Sequence, residues 1–306
     1  MIHTLHYSLH QVADYIHWLY FFHAWGFPAH YGSIARVHGC QACRQAWLQN
    51  FPTGERERAS EAMQLYDDAQ QILREMDGRH HTHAMVGLFP ACGDGDDIVL
   101  WTDAGETRLP LLRQQHAADD APCLCLSDFI RPLSSGQRDQ IGIFCATADQ
   151  GIEQSYPDDH YRHMLCQTLA DRLAEATAER VHEQVRRTLW GYAPEENLTI
   201  EDMLHEHYQG RRPAVGYPSL PDQSLNFLID NLLQMSAVGI SLTESGAMRP
   251  HASTSGLMLS HPATQHFSVG QITEDQLQDY ALRRGLTTDQ ARIFLAANMT
   301  TLRTNK

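Results

Sequence analysis

No stretch of this chain constrains its fold as tightly as the one from Asp159 to Trp190. Apolar residues return there at every fourth position, as Leu165, Leu169 and Leu173 and then Val181, Val185 and Leu189. That spacing puts one row on one face of a helix. Ala170, Ala174 and Ala178 flank the row, small enough for a neighbouring element to approach closely, and Gly191 and Pro194 end it.

The remaining elements are shorter. Tyr15, Trp18, Leu19 and Phe22 have helical spacing, so residues 1–30 read as helix against a core. A second helix is expected over Glu57–Asp77, where Ala62, Leu65, Tyr66, Ala69, Ile72, Leu73 and Met76 form a stripe and Gly78 stops it. Short apolar runs between Met85 and Leu111, broken by the turn cluster Gly93 to Asp97, read as strand, turn and strand, and Ile141 to Ala146 as a buried strand. A helix follows Pro221, with Leu225, Leu228, Ile229, Leu232 and Leu233 inward, after which Gly239 to Leu242 is expected to enter the sheet. Two compact helices close the chain, each behind a Thr-x-x-Gln capping box, Thr273 with Gln276 and Thr287 with Gln290. Strands and helices alternate without the rhythm of a doubly wound sheet, so the class is α+β with a largely antiparallel sheet. With 306 residues the chain reads as one structural domain, residues 1–84 its N-terminal helical part and 85–306 its core.

Charge and cysteine content narrow the partners. Thirty-seven acids against 23 bases give a formal charge of −14, which would repel phosphate backbones and anionic lipid. The most hydrophobic run, Trp18 to Phe27, is too short to span a bilayer. The first residues carry histidines where a signal peptide would carry a basic and then an apolar stretch. Seven scattered cysteines do not make a disulfide framework, so a cytoplasmic protein is expected. Among nineteen histidines, His80-His81-x-His83 and His38-x-Cys40-x-x-Cys43 have metal-like spacing, but each supplies three ligands where a closed zinc site needs four. They read as a solvated loop and a helix-start cysteine pair, and no metal centre is expected.

The segment Arg212-Pro213-Ala214-Val215-Gly216-Tyr217-Pro218, followed by Leu242-Thr243-Glu244-Ser245, resembles the signature of the activation domain of cobalamin-dependent methionine synthase. Gly87 to Ala91, Gly95 to Ile98, Ser127 to Phe129, Ala170 to Glu175, Ser260-His261-Pro262 and Gln276 to Gly285 fall in that family's order, covering roughly residues 85 to 290. The match is looser around Tyr15 to Trp25. The resemblance implies a C-shaped single α+β domain that offers S-adenosylmethionine to a cobalamin during reductive reactivation.

That ligand needs a fixed cation for its carboxylate, acids for its positive groups, and peptide or aromatic surfaces for its adenine. Arg212 can fork to a carboxylate, the Ala214 peptide can meet the adenine edge, Gly216 can turn with positive φ, and Tyr217 offers a ring face. The resemblance assigns these residues such roles and places Glu175 and Glu206 near the ligand. Read without it, the segment is a surface Arg-Pro turn beside a core tyrosine, the glutamates are a solvated face with Glu175 reaching Arg172, and Thr243, Glu244 and Ser245 are hydrogen-bonding turn residues.

Two departures from the family pattern stand in the same pocket. Where the family has an aspartate paired with the ligand ammonium, in the Tyr15-Ile16-x-Trp18 stretch, this chain has His17. Where it has two tyrosines after Ser-His-Pro, this chain has His266-Phe267. Three functions are compatible with this pattern. The first is a free-standing module that binds S-adenosylmethionine and acts in trans on a cobalamin-binding protein or the other modules of methionine synthase, with a flavodoxin-like reductant. The second is an enzyme that turns over S-adenosylmethionine or an analogue, with His17 or His266 as general base. The third is a corrinoid-protein binding module that has lost the nucleotide.

Overall fold

The computed structural model describes residues 1–117 and 121–299. Its centre is an antiparallel sheet of β1 (Ile2–Ser8), β2 (His81–Asp94), β3 (Asp97–Thr102), β4 (Gly105–Pro110), β5 (Asp139–Ala148) and, after the small hairpin β6 (Ser241–Leu242) and β7 (Met248–Arg249), β8 (Ser253–Met258). The order is β4-β3-β2-β5-β8. The long β2 shares one edge between two partners: its first half pairs with β1, Ile2 opposite Gly87, and its last residues with β3. β5 covers its other edge from Thr82 to Ala91.

Side chains alternate between two apolar layers, as the two-residue period of a strand requires. Ala84, Val86, Phe144 and Ala146 face the long helix His160–Gln184, whose Leu165, Leu169, Leu173 and Val181 are fully enclosed. Met85, Phe89, Ile143 and Cys145 face the helix Leu225–Leu233 on the opposite side. The largely antiparallel α+β architecture with long helices is therefore present. A turn of π-helix, Val185–Leu189, continues the long helix, so helical structure ends next to the expected Trp190.

The helix Arg56–Met76 lies where its stripe predicts. Several other expectations are corrected. Residues 1–30 open with the strand β1, followed by the short helices Leu9–Ala13 and Trp18–Ala24; alternating His, Thr and Leu residues half-buried on the sheet edge carry little helical period. Met85 to Leu111 holds three strands, because Gly105 permits a second hairpin. Ser241–Leu242 does not join the main sheet but pairs with Met248–Arg249 apart from it, and the last strand of the sheet is β8. Thr287 forms its capping box with Gln290, whereas the Thr273 box is not made. The Thr273 amide instead bonds Gln115 Oε1 at 2.6 Å, and Gln276 donates to the Arg113 carbonyl at 2.7 Å, so both residues tie the helix to a neighbouring segment.

Candidate functional site

Residues Arg211 to Val215 run antiparallel beside β8 and extend the sheet. Arg211 and Leu259 exchange amide bonds at 2.9 Å, the Leu257 amide donates to the Pro213 carbonyl at 3.0 Å, and the Val215 amide to Ser255 at 2.9 Å. Proline is tolerated there because the strand lies at an edge. The approach is close because Gly256 has no side chain: a Cβ on it would stand 2.2 Å from the Pro213 carbonyl oxygen and 2.8 Å from Ala214 Cα. Beyond Ala214 the chain turns, with the Tyr217 amide reaching back to the Ala214 carbonyl at 3.3 Å and Gly216 at φ +88°. This is the positive φ that the third position of a type II turn demands.

Between this extension, the long helix and the segments around His17, Glu206 and His266 lies a cavity of about 770 Å³. Arg212, Ala214, Tyr217, Glu175, Glu206, His17, His266 and Phe267 all line it. Of the expected site residues only Gly216 does not, and its part is to turn the chain so that Tyr217 faces the cavity. Tyr217 and Tyr20, 53% and 55% exposed, keep the cavity open to solvent. Thr243, Glu244 and Ser245 lie elsewhere, around a shallow depression at the β6–β7 hairpin. There Thr243 Oγ1 meets Ser245 Oγ at 3.0 Å and accepts from the Ala247 amide at 3.0 Å, a turn-holding role.

Arg212 is the charge centre. Its side chain is nearly enclosed, Nη2 donates to Glu179 Oε2 at 3.3 Å, Nη1 stands 3.9 Å from Glu175, and its carbon centre lies 5.4 Å from the Phe144 ring centroid. Burial opposes its charge, but Glu179 and Glu175 outweigh that and hold the guanidinium protonated. Among the described residues Nε meets no acceptor, and the Glu175 contact is too long for a hydrogen bond, so the fork has donor capacity to spare. Glu175 does not pair with Arg172; its Oε1 accepts from the Tyr217 hydroxyl at 3.2 Å, and this carboxylate, with burial, pushes the phenol up to about 12.

On the far wall Glu206 holds φ +56°, Oε1 is 2.9 Å from His266 Nε2 and Oε2 is 3.4 Å from Arg211. Burial would raise this carboxyl, but His266 and the two arginines lower it, so it remains ionised. His17 caps the helix Trp18–Ala24 without a side-chain bond, and its ring lies 4.6 Å from that of Tyr20. Burial, followed by the charges of His205, Arg172 and Arg36, lowers its pKa below the ordinary imidazole value.

The inner layer includes Glu179, which the sequence reading did not single out. With Glu175 and Glu183 it forms an i, i+4, i+8 row on the long helix, a spacing that could have revealed it. Arg186, fully enclosed, forks to Glu196 at 2.9–3.0 Å, covers the Tyr208 ring at 4.0 Å and reaches within 3.9 Å of Glu179. The π-turn begins one residue before Arg186. His182, also enclosed, shares a 3.3 Å bond with the Tyr192 hydroxyl. Away from the cavity, His83 of the His80-His81-x-His83 run bonds Asp149 at 2.8 Å and His6 at 2.7 Å.

Together these features define an α+β domain with an open, mostly pre-formed cleft that pairs a buried guanidinium with carboxylates, suited to a small zwitterionic or cationic ligand. The chain belongs to the family described as vitamin B12 dependent methionine synthase, activation domain, whose model matches residues 8–285. It is also similar to the crystal structure of the MetH reactivation domain bound to AdoHcy. That similarity is at 35% identity over 98% of this chain and 90% of the other, with a TM-score of 0.85.

Proposed function

We propose that this protein binds S-adenosylmethionine in the Arg212 cleft and acts in trans on a cobalamin-carrying protein, supporting reductive methylation of its corrinoid. The observation that carries the reading is the meeting of Arg212, Ala214, Tyr217, Glu175 and Glu206 on the walls of one cleft in a member of the activation-domain family. A volume of about 770 Å³ suits a nucleoside-sized ligand, and the under-used Arg212 fork suits a carboxylate. S-adenosylmethionine would supply an electrophilic methyl group, leaving S-adenosylhomocysteine, to a corrinoid that the partner carries and a flavodoxin-like protein would reduce. This chain's own residues position the donor. Arg212 holds the carboxylate end, Glu175 and Glu206 favour its positive groups, and the Ala214 peptide, Tyr217 and Phe267 present surfaces to the adenine.

These 306 residues carry no Asp-x-His-x-x-Gly motif, so the corrinoid in this reading is held by a module outside them. A cytoplasmic setting fits the free cysteines. Among the described residues no helix is long and apolar enough to cross a membrane. Residues 1–84 and 85–306 are proposed as parts of one structural domain, supported by the pairing of β1 with β2 and by the core that Tyr7, Leu9 and Phe22 share with Val86 and Phe144.

Calorimetry tests the central claim. Arg212→Lys should weaken S-adenosylmethionine binding by about 1.5–3 kcal/mol, the worth of a charged hydrogen bond, and unchanged affinity would overturn it. A second reading, turnover in the cleft itself, is favoured by the Glu206–His266 pair, the arrangement of an oriented general base. Product formed from S-adenosylmethionine without any corrinoid protein would select it.

A further inference from the structure

We propose that His38, Cys40 and Cys43 form a binding site for a thiophilic metal ion of the Zn(II) class, with one coordination position left open. The site is independent of the Arg212 cleft: none of the three residues lines that cavity. Their donor atoms, one per residue, all lie within 4.8 Å of one another. Tetrahedral zinc with bonds of about 2.3 Å to sulfur sets its thiolates roughly 3.8 Å apart, so the existing spread needs only small rotations about side-chain bonds. A dithiol redox pair needs the two cysteines alone; His38, converging on both, adds a third donor of a type that zinc takes.

The backbone that carries the donors is anchored on both sides. Cys40 is the N-cap of the helix Gln41–Gln49, its Sγ accepting from the Cys43 amide at 3.4 Å, and its own amide meets His38 Nδ1 at 3.3 Å. Four residues further on, Arg44 forks to Asp67 on the helix Arg56–Met76, and Trp47 Nε1 donates to Ser33 Oγ at 2.9 Å from a buried position. The Val37 amide bonds the Ile34 carbonyl at 3.0 Å just before the loop. The donors are thus presented from a fixed frame, while both thiols stay exposed and free.

Electrostatics favours occupancy. Two thiolates balance a divalent charge, and a chain of formal charge −14 draws cations to its surface. Soft sulfur with imidazole selects zinc over calcium or magnesium. Three protein ligands leave the fourth position to water or to a donor from another molecule.

Cobalt(II) titration of the full chain, reduced with a phosphine, tests this. Nineteen histidines make total metal uptake uninformative, but a thiolate-to-cobalt charge-transfer band reports sulfur ligation alone. The expected result is a band that saturates at one equivalent of cobalt and disappears on adding one equivalent of zinc. Cys40→Ser and Cys43→Ser should each weaken binding beyond the roughly 10–100-fold that loss of an outer-shell partner costs, and their combination should abolish the band. His38→Ala should shift the band and lower the affinity. No band in the reduced protein, or a band that survives in the double serine variant, would overturn the site, and an unaltered band and affinity in His38→Ala would overturn the three-ligand assignment.

Discussion

Glu179 lies between two buried guanidiniums, 3.3 Å from Arg212 Nη2 at one oxygen and 3.9 Å from Arg186 Nη1 at the other. The first of these cations belongs to the cleft and the second to the core beneath it, where Glu196 already holds it. One carboxylate of the long helix therefore joins the sheet extension, through Arg212, to the buried Arg186 beneath it.

Glu179→Ala leaves Arg212 and Arg186 close together without the charge that separates them. Breaking a buried pair from one side costs about 3–5 kcal/mol, since the stranded charge has lost its partner and not its desolvation penalty. Denaturant unfolding should show a loss of that size with an unchanged slope. A midpoint equal to that of the parent would mean that water reaches Arg212 freely enough to replace the carboxylate.

Gly256 is the tightest point of the site's scaffold. A methyl group there meets the Pro213 carbonyl carrier, which is backbone and cannot rotate away. Gly256→Ala should push the Arg211 to Val215 segment off β8, break the amide bonds at 2.9–3.0 Å that tie it to the sheet, and cost about 1–3 kcal/mol of stability, the range for overpacking. Amide exchange of Val215 and Leu257 should accelerate first. Retained protection at both amides would show that the sheet absorbs the methyl group elsewhere.

The long helix and the Arg56–Met76 helix are legible in the sequence because each carries a repeated apolar period, and β5 because it is a continuous run buried on both faces. β1 was not, since its buried residue is Tyr7 among half-exposed polar neighbours, and its place comes from pairing with residues eighty positions away. The same division holds in the site. Arg212, Tyr217 and Glu175 are local members of recognisable words. Glu179, Arg186 and His182 carry their meaning only once the helix brings the 212 segment against them, and Gly216 proved to shape the turn instead of touching the cavity. For His38, Cys40 and Cys43 the ligand count can be read from spacing, whereas their convergence within 4.8 Å is visible only in the fold.

His182 makes stability depend on acid. It is fully enclosed, and burial first, then Arg186, Arg212 and Arg211, hold its pKa well below the ordinary value of 6.5. The unfolded chain therefore takes up a proton near pH 6.5 that the folded chain refuses. By linkage, stability rises with pH wherever the unfolded state binds more protons, so the contribution is intact above 6.5 and falls by about 1.4 kcal/mol per pH unit below it. Unfolding midpoints of the parent and of His182→Asn at pH 7.0 and 5.5 should diverge in slope, with the variant less acid-sensitive. Equal slopes would mean that the imidazole protonates in place.

His17, which stands where the resemblance implies an aspartate, carries the most direct test of how the cleft reads charge. The residue lines the cavity, and its pKa lies below 6.5 through burial and then the charges of His205, Arg172 and Arg36. Above pH 6.5 its ring is neutral: it offers a hydrogen bond to a ligand ammonium but no compensating charge, and a charge-assisted bond is roughly twice as strong. Below that pH it acquires a proton and repels the ammonium. Affinity for S-adenosylmethionine should accordingly be flat from pH 7 to 8 and decline as the pH falls below 6.5, a more acid window than a freely solvated histidine would give. His17→Asp should tighten binding at pH 7, because it restores an anion, and remove the acid decline, because a carboxylate stays ionised there. Calorimetric titrations of the two proteins at pH 5.5, 6.5 and 7.5 decide it. Parallel curves for parent and variant, or weaker binding by His17→Asp, would place the ammonium against Glu175 or Glu206 and leave His17 a wall residue only.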